Sequence, residues 1–296
     1  MLKLIKTAAS LALCMSIVIH PALAEPAVWT LSDEDTTISI VGTIHYLPED
    51  ADWRTGRIGE AFEAADTVCF ELDAEARADE SRVMMSRRGF FKFGDRLSEH
   101  LTNRQIRELK EKARTLRVPF TELDLMKPWL VSVVLDDVII AETGYEDGVE
   151  FSLYPEILES GKTLCELETL EEQLGGWIDM KLDDQIDALF TKYPGTEELS
   201  ARESIEFGKD RLDALVEDWL EGDVAAMDEV VNTEASLSGP FHQALLVSRN
   251  TSWVPRIEAM LEQEGNIMIA VGAAHLSGDD SVIKMLRARG HKIKGP

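Results

Sequence analysis

Hydrophobic positions along the chain follow two spacings, which together predict an α/β protein. Short runs rich in β-branched residues are typical of strands, and apolar residues three or four positions apart are typical of helices. The predicted strands cover residues 38–41, 67–72, 163–167 and 266–271. The predicted helices cover residues 54–65, 98–116, 150–159 and 279–289, with Ser98 as the cap of the second, and a further helix begins at Lys127-Pro128-Trp129.

The order of these elements predicts a mostly parallel central sheet flanked by helices. A strand, a helix and a strand follow one another within residues 38–72, the pattern of a right-handed parallel βαβ unit. Residues 171–260 are acidic and carry apolar side chains at helical spacing. We therefore expect an α/β fold with α+β elements, in which this helix-rich layer is inserted between N- and C-terminal βαβ-like halves. No linker clearly divides residues 25–296, which predicts a single domain.

The N-terminus has the pattern of a secretory signal peptide. Lys3 and Lys6 precede an apolar run over residues 7–19, and small residues lead to a cleavage site after Ala24. A retained anchor is the alternative, but the run is shorter than the roughly 20 residues that span a membrane. We expect residues 1–24 to be removed and the protein to be periplasmic or secreted, without a stable membrane anchor.

The charge balance limits the partners that the surface can attract. The chain has 30 Lys and Arg against 55 Asp and Glu, a formal net charge of −25. Such a surface repels a phosphate backbone, and it repels anionic membranes in the same way. We expect a peptide or small-molecule substrate and no nucleic acid.

Two cysteines, Cys69 and Cys165, remain after cleavage in a compartment that permits disulfides. They can be joined if their strands are neighbours. The alternative is a pair of buried small hydrophobic residues.

Two G-x-x-H segments are the most informative feature of the sequence. His45 ends Gly42-Thr43-Ile44-His45 after the first predicted strand, and His275 ends Gly272-Ala273-Ala274-His275 after the last. Parallel sheets have their binding crevices beyond the carboxyl ends of the strands. Two imidazoles delivered there can converge on one divalent transition-metal ion. The alternative for each histidine is a structural role.

Carboxylates end two other predicted strands. Glu71 lies between apolar residues, which indicates a buried charge that needs a partner. Glu168 follows the strand that begins at Thr163. Carboxylate and imidazole ligands together suit Zn²⁺, Mn²⁺, Fe²⁺ or Co²⁺. The sequence has no G-x-S-x-G, H-E-x-x-H, P-loop or G-x-G-x-x-G motif, so serine hydrolase, zincin and nucleotide-binding classes lack support.

Taken together, these segments resemble the TraB/GumN family of bacterial exported proteins, over residues from about 28 to the C-terminus. The resemblance rests on Val41-Gly42-Thr43-Ile44-His45, Phe70-Glu71-Leu72-Asp73, Lys127-Pro128-Trp129-Leu130, Leu167-Glu168-Thr169 with Glu172-Gln173, Arg249-Asn250 with Trp253, and Val271-Gly272-Ala273-Ala274-His275-Leu276 with Gly278. The family is similar to the Tiki metalloproteases, and more distantly to erythromycin-esterase-like and ChaN-like folds. The resemblance implies a metallohydrolase-like site in which His45, His275 and Glu71 are the metal ligands.

The predicted activity is hydrolysis of a peptide bond with the help of Mn²⁺, Co²⁺ or Zn²⁺. Of Glu71 and Glu168, the carboxylate that does not bind the metal is expected to act as general base. Arg249 is expected to stabilise an oxyanion or bind a substrate carboxylate together with Asn250, the alternative being a surface ion pair. Trp253, four positions after Arg249, shares its helix face and is expected either to contact substrate or to pack in the core.

A binding protein of the bacterial envelope is the alternative function. The same residues could hold metal, haem or a peptide without catalysis. Covalent haem attachment is excluded, because the sequence has no C-x-x-C-H motif.

Overall fold

The computed structural model of the protein describes residues 25–54, 56–192, 195–232 and 239–296. The predicted signal peptide, residues 1–24, lies outside this part of the chain. Across the described residues, no helix has both the length and the apolar character needed to cross a membrane.

The described residues form eight strands and thirteen α-helices. The strands are β1 (Val28–Ser32), β2 (Thr36–Thr43), β3 (Tyr46–Leu47), β4 (Thr67–Phe70), β5 (Glu146–Asp147), β6 (Thr163–Glu166), β7 (Gly265–Gly272) and β8 (Ile293–Lys294). The helices are α1 (Gly56–Ala64), α2 (Ala74–Arg88), α3 (Asn103–Thr115), α4 (Phe120–Leu123), α5 (Pro128–Ala141), α6 (Val149–Ser160), α7 (Leu170–Ile178), α8 (Leu182–Phe190), α9 (Ala201–Glu221), α10 (Val224–Asn232), α11 (Gly239–His242), α12 (Ser248–Met260) and α13 (Val282–Ala288). Short 3₁₀ turns lie at Leu97–Glu99 and Ala273–His275, and a π-helical turn lies at Gln243–Val247.

The central sheet has six strands in the order β6-β4-β7-β2-β1-β8. Strands β6, β4, β7 and β2 are parallel, while β1 is antiparallel to both of its neighbours. The predicted α/β class, with a mostly parallel sheet flanked by helices, is therefore confirmed. Helices α7 to α12 lie between β6 and β7 in the chain, where the sequence predicts the helix-rich layer.

The last long strand of the chain, β7, lies between β2 and β4. It pairs with β2 from Thr36↔Gly265 to Thr43↔Gly272, and with β4 from Thr67↔Ile267 to Phe70↔Ala270. The parallel direction expected for β2 and β4 is correct, but the two strands are not neighbours. This insertion brings the ends of β2, β7 and β4 to one edge of the sheet.

Both faces of the sheet are buried at its centre, which explains why β7 is continuously apolar from Ile267 to Val271. Met268 and Ala270 lie on the face covered by α1, α6 and α9, whereas Ile267 and Ile269 lie on the face covered by α12 and α13. This alternation follows from the two-residue period of a strand. Met268, Ile269 and Ala270 are completely buried, so β7 is the centre of the core.

A disulfide joins Cys69 on β4 to Cys165 on β6. The two cysteines are direct register partners in neighbouring parallel strands, and their Cα atoms are 4.4 Å apart. Of the two alternatives for these cysteines, a disulfide or a pair of buried small residues, the structure contains the disulfide. It lies two residues before Glu71 and three before Glu168.

One predicted helix start is wrong. Helix α3 begins at Asn103 and not after Ser98, because Thr102 and Gln105 form a reciprocal capping box at its N-terminus. Ser98 belongs to the preceding 3₁₀ turn, where its N–H donates to Asp124 Oδ1 (2.8 Å).

Candidate functional site

Three of the predicted residues meet at the carboxyl edge of the sheet. His45 follows β2, His275 lies in the 3₁₀ turn after β7, and Glu71 follows β4 directly. Their common neighbour is Gly272: a Cβ built there would lie 3.1 Å from Glu71 Oε1, 3.7 Å from His275 Cδ2 and 4.0 Å from His45 Nε2. The glycine therefore leaves open the space that these three side chains surround.

His275 is held in one orientation by Asn250. Its Nδ1 lies 2.6 Å from Asn250 Oδ1, while Asn250 Nδ2 donates to the carbonyl of Asp280 (2.7 Å). We assign the imidazole proton to Nδ1, because the amide oxygen can only accept. Nε2 is left with its lone pair and lies 3.6 Å from Glu71 Oε1. Burial lowers the pKa of His275 to about 3, which keeps the ring neutral.

His45 has a different partner and a different charge. Its Nδ1 lies 3.0 Å from Glu150 Oε1, and the same oxygen accepts a hydrogen bond from Thr43. The Glu150 carboxylate raises the pKa of His45 to about 9. Glu150 Oε2 is buried and has no hydrogen-bond partner among the described residues. One oxygen of Glu150 thus orients His45 and the other is left without a partner.

Glu71 is ionised between two kinds of donor. Its Oε1 accepts from the N–H of Gly272 (2.7 Å), and its Oε2 accepts from Arg249 Nη2 (2.5 Å). Burial acts to raise the pKa of Glu71, but the Arg249 guanidinium, the charged His45 ring and the backbone N–H of Gly272 lower it to about 2. Glu71 is therefore a carboxylate at any neutral pH.

Behind Glu71 lies a buried ion pair of Arg249 with Glu168. Arg249 Nε lies 3.0 Å from both Glu168 oxygens, and Nη2 bridges Glu168 to Glu71. Trp253 Nε1 donates to Glu168 Oε2 (3.0 Å), and its ring lies 4.3 Å from that of His275. Burial raises the pKa of Glu168, while Arg249 opposes that shift. Both carboxylate oxygens of Glu168 are therefore already engaged.

A cavity of about 240 Å³ opens beside these groups. Of the predicted site residues, His45 and Glu71 line it. The side chains of Arg249, Asn250 and Trp253 instead contact other members of the site, and their expected contacts with substrate stay predictions. The other lining residues are Tyr46, Phe70, Leu72, Ala74, Glu75, Glu150, Phe151, Tyr154 and Gln173.

A protein-family model and several other proteins match this chain. The model of the TraB/PrgY/gumN family matches residues 27–295. The chain belongs to this family. Relatives include an uncharacterized protein of Treponema pallidum (strain Nichols), 22% identical over 88% of this chain and 80% of the relative. The uncharacterized protein YbaP of Escherichia coli (strain K12) is 23% identical over 84% of this chain and 87% of its own length. No solved structure gives a significant match.

The sequence alone did not identify Glu150 as a site residue of this TraB/PrgY/gumN family member. Glu150 lies in the first turn of α6, directly after Gly148 and Val149. Gly148 packs against the backbone of His45: its N–H donates to the carbonyl of His45 (2.8 Å), and a Cβ there would lie 2.0 Å from the carbonyl oxygen of Ile44. Gly148, just before the acidic first turn of α6, is the feature of the sequence that could have indicated this contact. Its partner His45, however, lies 103 residues away in the sequence.

The side chains fit a metal ion in their chemistry. Each imidazole uses Nδ1 for a hydrogen bond, which is how metal-binding histidines are oriented by their outer partners. Nε2 of neutral His275 has a free lone pair, whereas a metal ion would have to displace a proton from Nε2 of His45. A carboxylate lies beside them at Glu71. Among the described residues, however, no group of three His, Cys, Asp or Glu side chains is spaced to hold an ion as placed. Coordination by these residues is therefore part of the proposal below.

Proposed function

We propose that this TraB/PrgY/gumN family member is an exported, metal-dependent hydrolase that cleaves peptide bonds. The observation that carries the proposal is the pair of imidazoles tethered through Nδ1, whose Nε2 edges share with Glu71 the space above Gly272. His45, His275 and Glu71 would hold Mn²⁺, Co²⁺ or Zn²⁺. A bound divalent cation would polarise the scissile carbonyl and lower the pKa of a water molecule.

The protein's own residues would orient these ligands. Asn250 selects the tautomer of His275 that keeps Nε2 available. Arg249 holds Glu71 in place and keeps it ionised, because the guanidinium bonds directly to Oε2. Both groups act on ligands and not on substrate, which differs from the substrate contacts that the sequence suggests for them.

Glu150 is a better proton acceptor than Glu168 in this geometry. Both oxygens of Glu168 already accept hydrogen bonds from Arg249 or Trp253. Glu150 lines the cavity and has one oxygen without a partner among the described residues. A general base needs an acceptor oxygen that is not already engaged in other hydrogen bonds. We therefore assign the proton acceptance to Glu150 in this proposal.

The size of the cavity favours a short segment of peptide over a drug-sized molecule. Its volume of about 240 Å³ is below the roughly 300 to 1,000 Å³ of sites that enclose drug-sized ligands. Phe151 and Tyr154 provide apolar walls, and Glu75 and Gln173 provide polar groups. Such a space suits one or two side chains of an extended substrate.

The decisive experiment measures metal in protein purified without chelators. We expect a divalent metal in the wild type and its loss in the double variant His45→Ala/His275→Ala. The matched control is His291→Ala, which removes an imidazole that pairs with Glu258 outside the site. Equal metal contents in the wild type and the double variant would contradict the metal site.

Catalysis is tested separately with a peptide library. We expect cleavage that a chelator abolishes and that Mn²⁺, Co²⁺ or Zn²⁺ restores. Metal binding without cleavage would favour the binding-protein alternative, and a Soret band in the absorption spectrum would identify haem as its ligand. Export is tested by N-terminal sequencing of the mature protein, which we expect to begin at Glu25.

A further inference from the structure

The cavity beside His45 and Glu71 carries one charged group that the proposed reaction does not use. Three carboxylates line it, and no lysine or arginine of the described residues does. Glu71 is paired with Arg249, and Glu150 is paired with the charged ring of His45. Glu75, in contrast, has no ion pair among the described residues. Within this part of the chain, its negative charge is therefore not balanced by a direct contact.

The start of α2 places Glu75 at the cavity without needing its carboxylate. Asp73 caps the helix, since its Oδ1 accepts from the N–H of Ala76 (2.9 Å). Arg77, the basic residue that is closest to Glu75 in the sequence, binds Glu166 instead (2.7 Å). Neither the cap of the helix nor this neighbouring ion pair explains the acidic side chain at position 75.

Aromatic side chains of α6 line the same cavity. Phe151 and Tyr154 are three positions apart and therefore lie on one side of the helix. Tyr154 packs against the core cluster that contains the buried residues of α6, whereas Phe151 belongs to none of the core clusters of the described residues. The half-buried ring of Phe151 is therefore available to a ligand in the cavity.

Two tyrosines of the lining have carboxylates near them. Burial raises the pKa of Tyr154, and the carboxylates of Asp73 and Glu75 raise it further. Burial also raises the pKa of Tyr46, and two aspartates on α5 and β5 add to that shift. Carboxylates from several elements thus surround the cavity. A positive charge that enters it is attracted electrostatically, and an aromatic face attracts a cation as well.

We propose that the cavity selects a positively charged group of the substrate, an inference that rests on the proposed peptide hydrolysis. The cation pairs with Glu75 and lies against the ring of Phe151. Its source is either the side chain of lysine or arginine or the free amino terminus of the peptide, which share this chemistry. Glu75 thus determines specificity without taking part in the reaction at His45, His275 and Glu71.

The test is NMR titration of the mature protein with pentapeptides Ala-Ala-Xaa-Ala-Ala that are blocked at both ends. A chelator is present so that the peptides stay intact. Xaa is arginine or citrulline, which has nearly the shape of arginine but no charge. We expect the arginine peptide to bind about fivefold more tightly, as for one partly screened ion pair. Tighter binding of the citrulline peptide when its amino terminus is left free would identify the terminus as a source of the cation.

Variants assign the preference to the cavity. Glu75→Gln should remove most of the preference for the charged peptide, and Glu75→Lys should reverse it toward a peptide with glutamate at Xaa. Phe151→Leu should reduce the preference by about two- to threefold, because it removes the ring but keeps an apolar side chain. The matched control is Glu80→Gln, which removes the same charge from an exposed position on α2 outside the cavity. It should keep the preference of the wild type.

Equal binding of the arginine and citrulline peptides without any effect of a free amino terminus, or no binding of any peptide, would overturn the inference. So would a preference that survives Glu75→Gln or that Glu80→Gln removes equally. Cleavage is measured separately with the Mn²⁺-loaded protein. A charge preference in binding without any cleavage would contradict the proposed hydrolysis alone, whereas equal binding and equal cleavage of charged and neutral peptides would contradict the charge preference alone.

Discussion

The substitution Glu150→Gln, studied in the metal-free protein, is the most direct test of the contact between Glu150 and His45. It keeps the size of the side chain and an oxygen that can accept from His45 Nδ1, but it removes the negative charge 3.0 Å away. The pKa of His45 is raised from 6.5 to about 9, with Glu150 as the largest cause. We expect the pKa of His45 in the variant to fall back toward its ordinary value.

The size of the effect follows from this shift and from the exposure of the ring. A rise from 6.5 to about 9 corresponds to about 3 kcal/mol of interaction. Because 55% of the His45 side chain is exposed, solvent screening reduces the contribution to the free energy of unfolding to about 1–2 kcal/mol. His45 gains its proton affinity in the folded state, so this stability is fully present below pH 6.5 and is lost as pH rises through about 9.

Two measurements check the prediction. NMR titration of the His45 ring gives its pKa in the wild type and in Glu150→Gln, and denaturant unfolding at several pH values gives the stability difference, which should disappear above pH 9. The control Glu146→Gln removes the same charge from an exposed position on β5. The reasoning is refuted if His45 titrates near 6.5 in the wild type, or if Glu146→Gln lowers its pKa as much.

Three further predictions concern the groups around the site. Arg249→Met should lower the free energy of unfolding by about 3–5 kcal/mol in urea unfolding, because it leaves buried carboxylates unpaired. The control Arg256→Met lies on the same helix but removes a surface pair with Glu172, and it should cost about 1 kcal/mol or less. Equal losses in the two variants would contradict the buried pair. Cys69→Ala/Cys165→Ala should lower the free energy of unfolding by about 2–5 kcal/mol, and an unchanged wild-type midpoint under reducing conditions would contradict that. Asn250→Ala should weaken metal binding, measured by titration calorimetry, by about 10–100-fold, and unchanged affinity would show that His275 needs no orienting partner.

Features that depend on local periodicity could be predicted from the sequence. The strand predicted at 266–271 is β7, which is buried on two faces and reads as a continuous apolar run. The strand predicted at 38–41 is the middle of β2, where Ile38, Ile40 and Val41 are completely buried. Strand β8 was not predicted, since it has two residues and forms only by pairing with β1. A segment this short has no period that could be recognised.

Partners separated by long stretches of chain could not be predicted in the same way. The sequence indicated that Glu71 is a buried carboxylate in need of a partner, and the structure supplies Arg249, 178 residues away. It left open whether Cys69 and Cys165 are joined, because the answer depends on the order of the strands. Glu150 was not identified for the same reason: its contact with His45 exists only because α6 packs its first turn against the end of β2.

The candidate site forms only when β7 is inserted between β2 and β4, so the site depends on the folded sheet. The same strand completes the centre of the sheet and carries Gly272 and His275 at its end. Until β7 is in place, His45 and Glu71 lie on strands that have no direct contact with each other. The two G-x-x-H motifs are far apart in the sequence because one follows the first parallel strand along the chain and the other follows the last. A ligand held by both imidazoles would bind the folded chain and not the unfolded one, so its binding energy would add directly to the stability of the sheet.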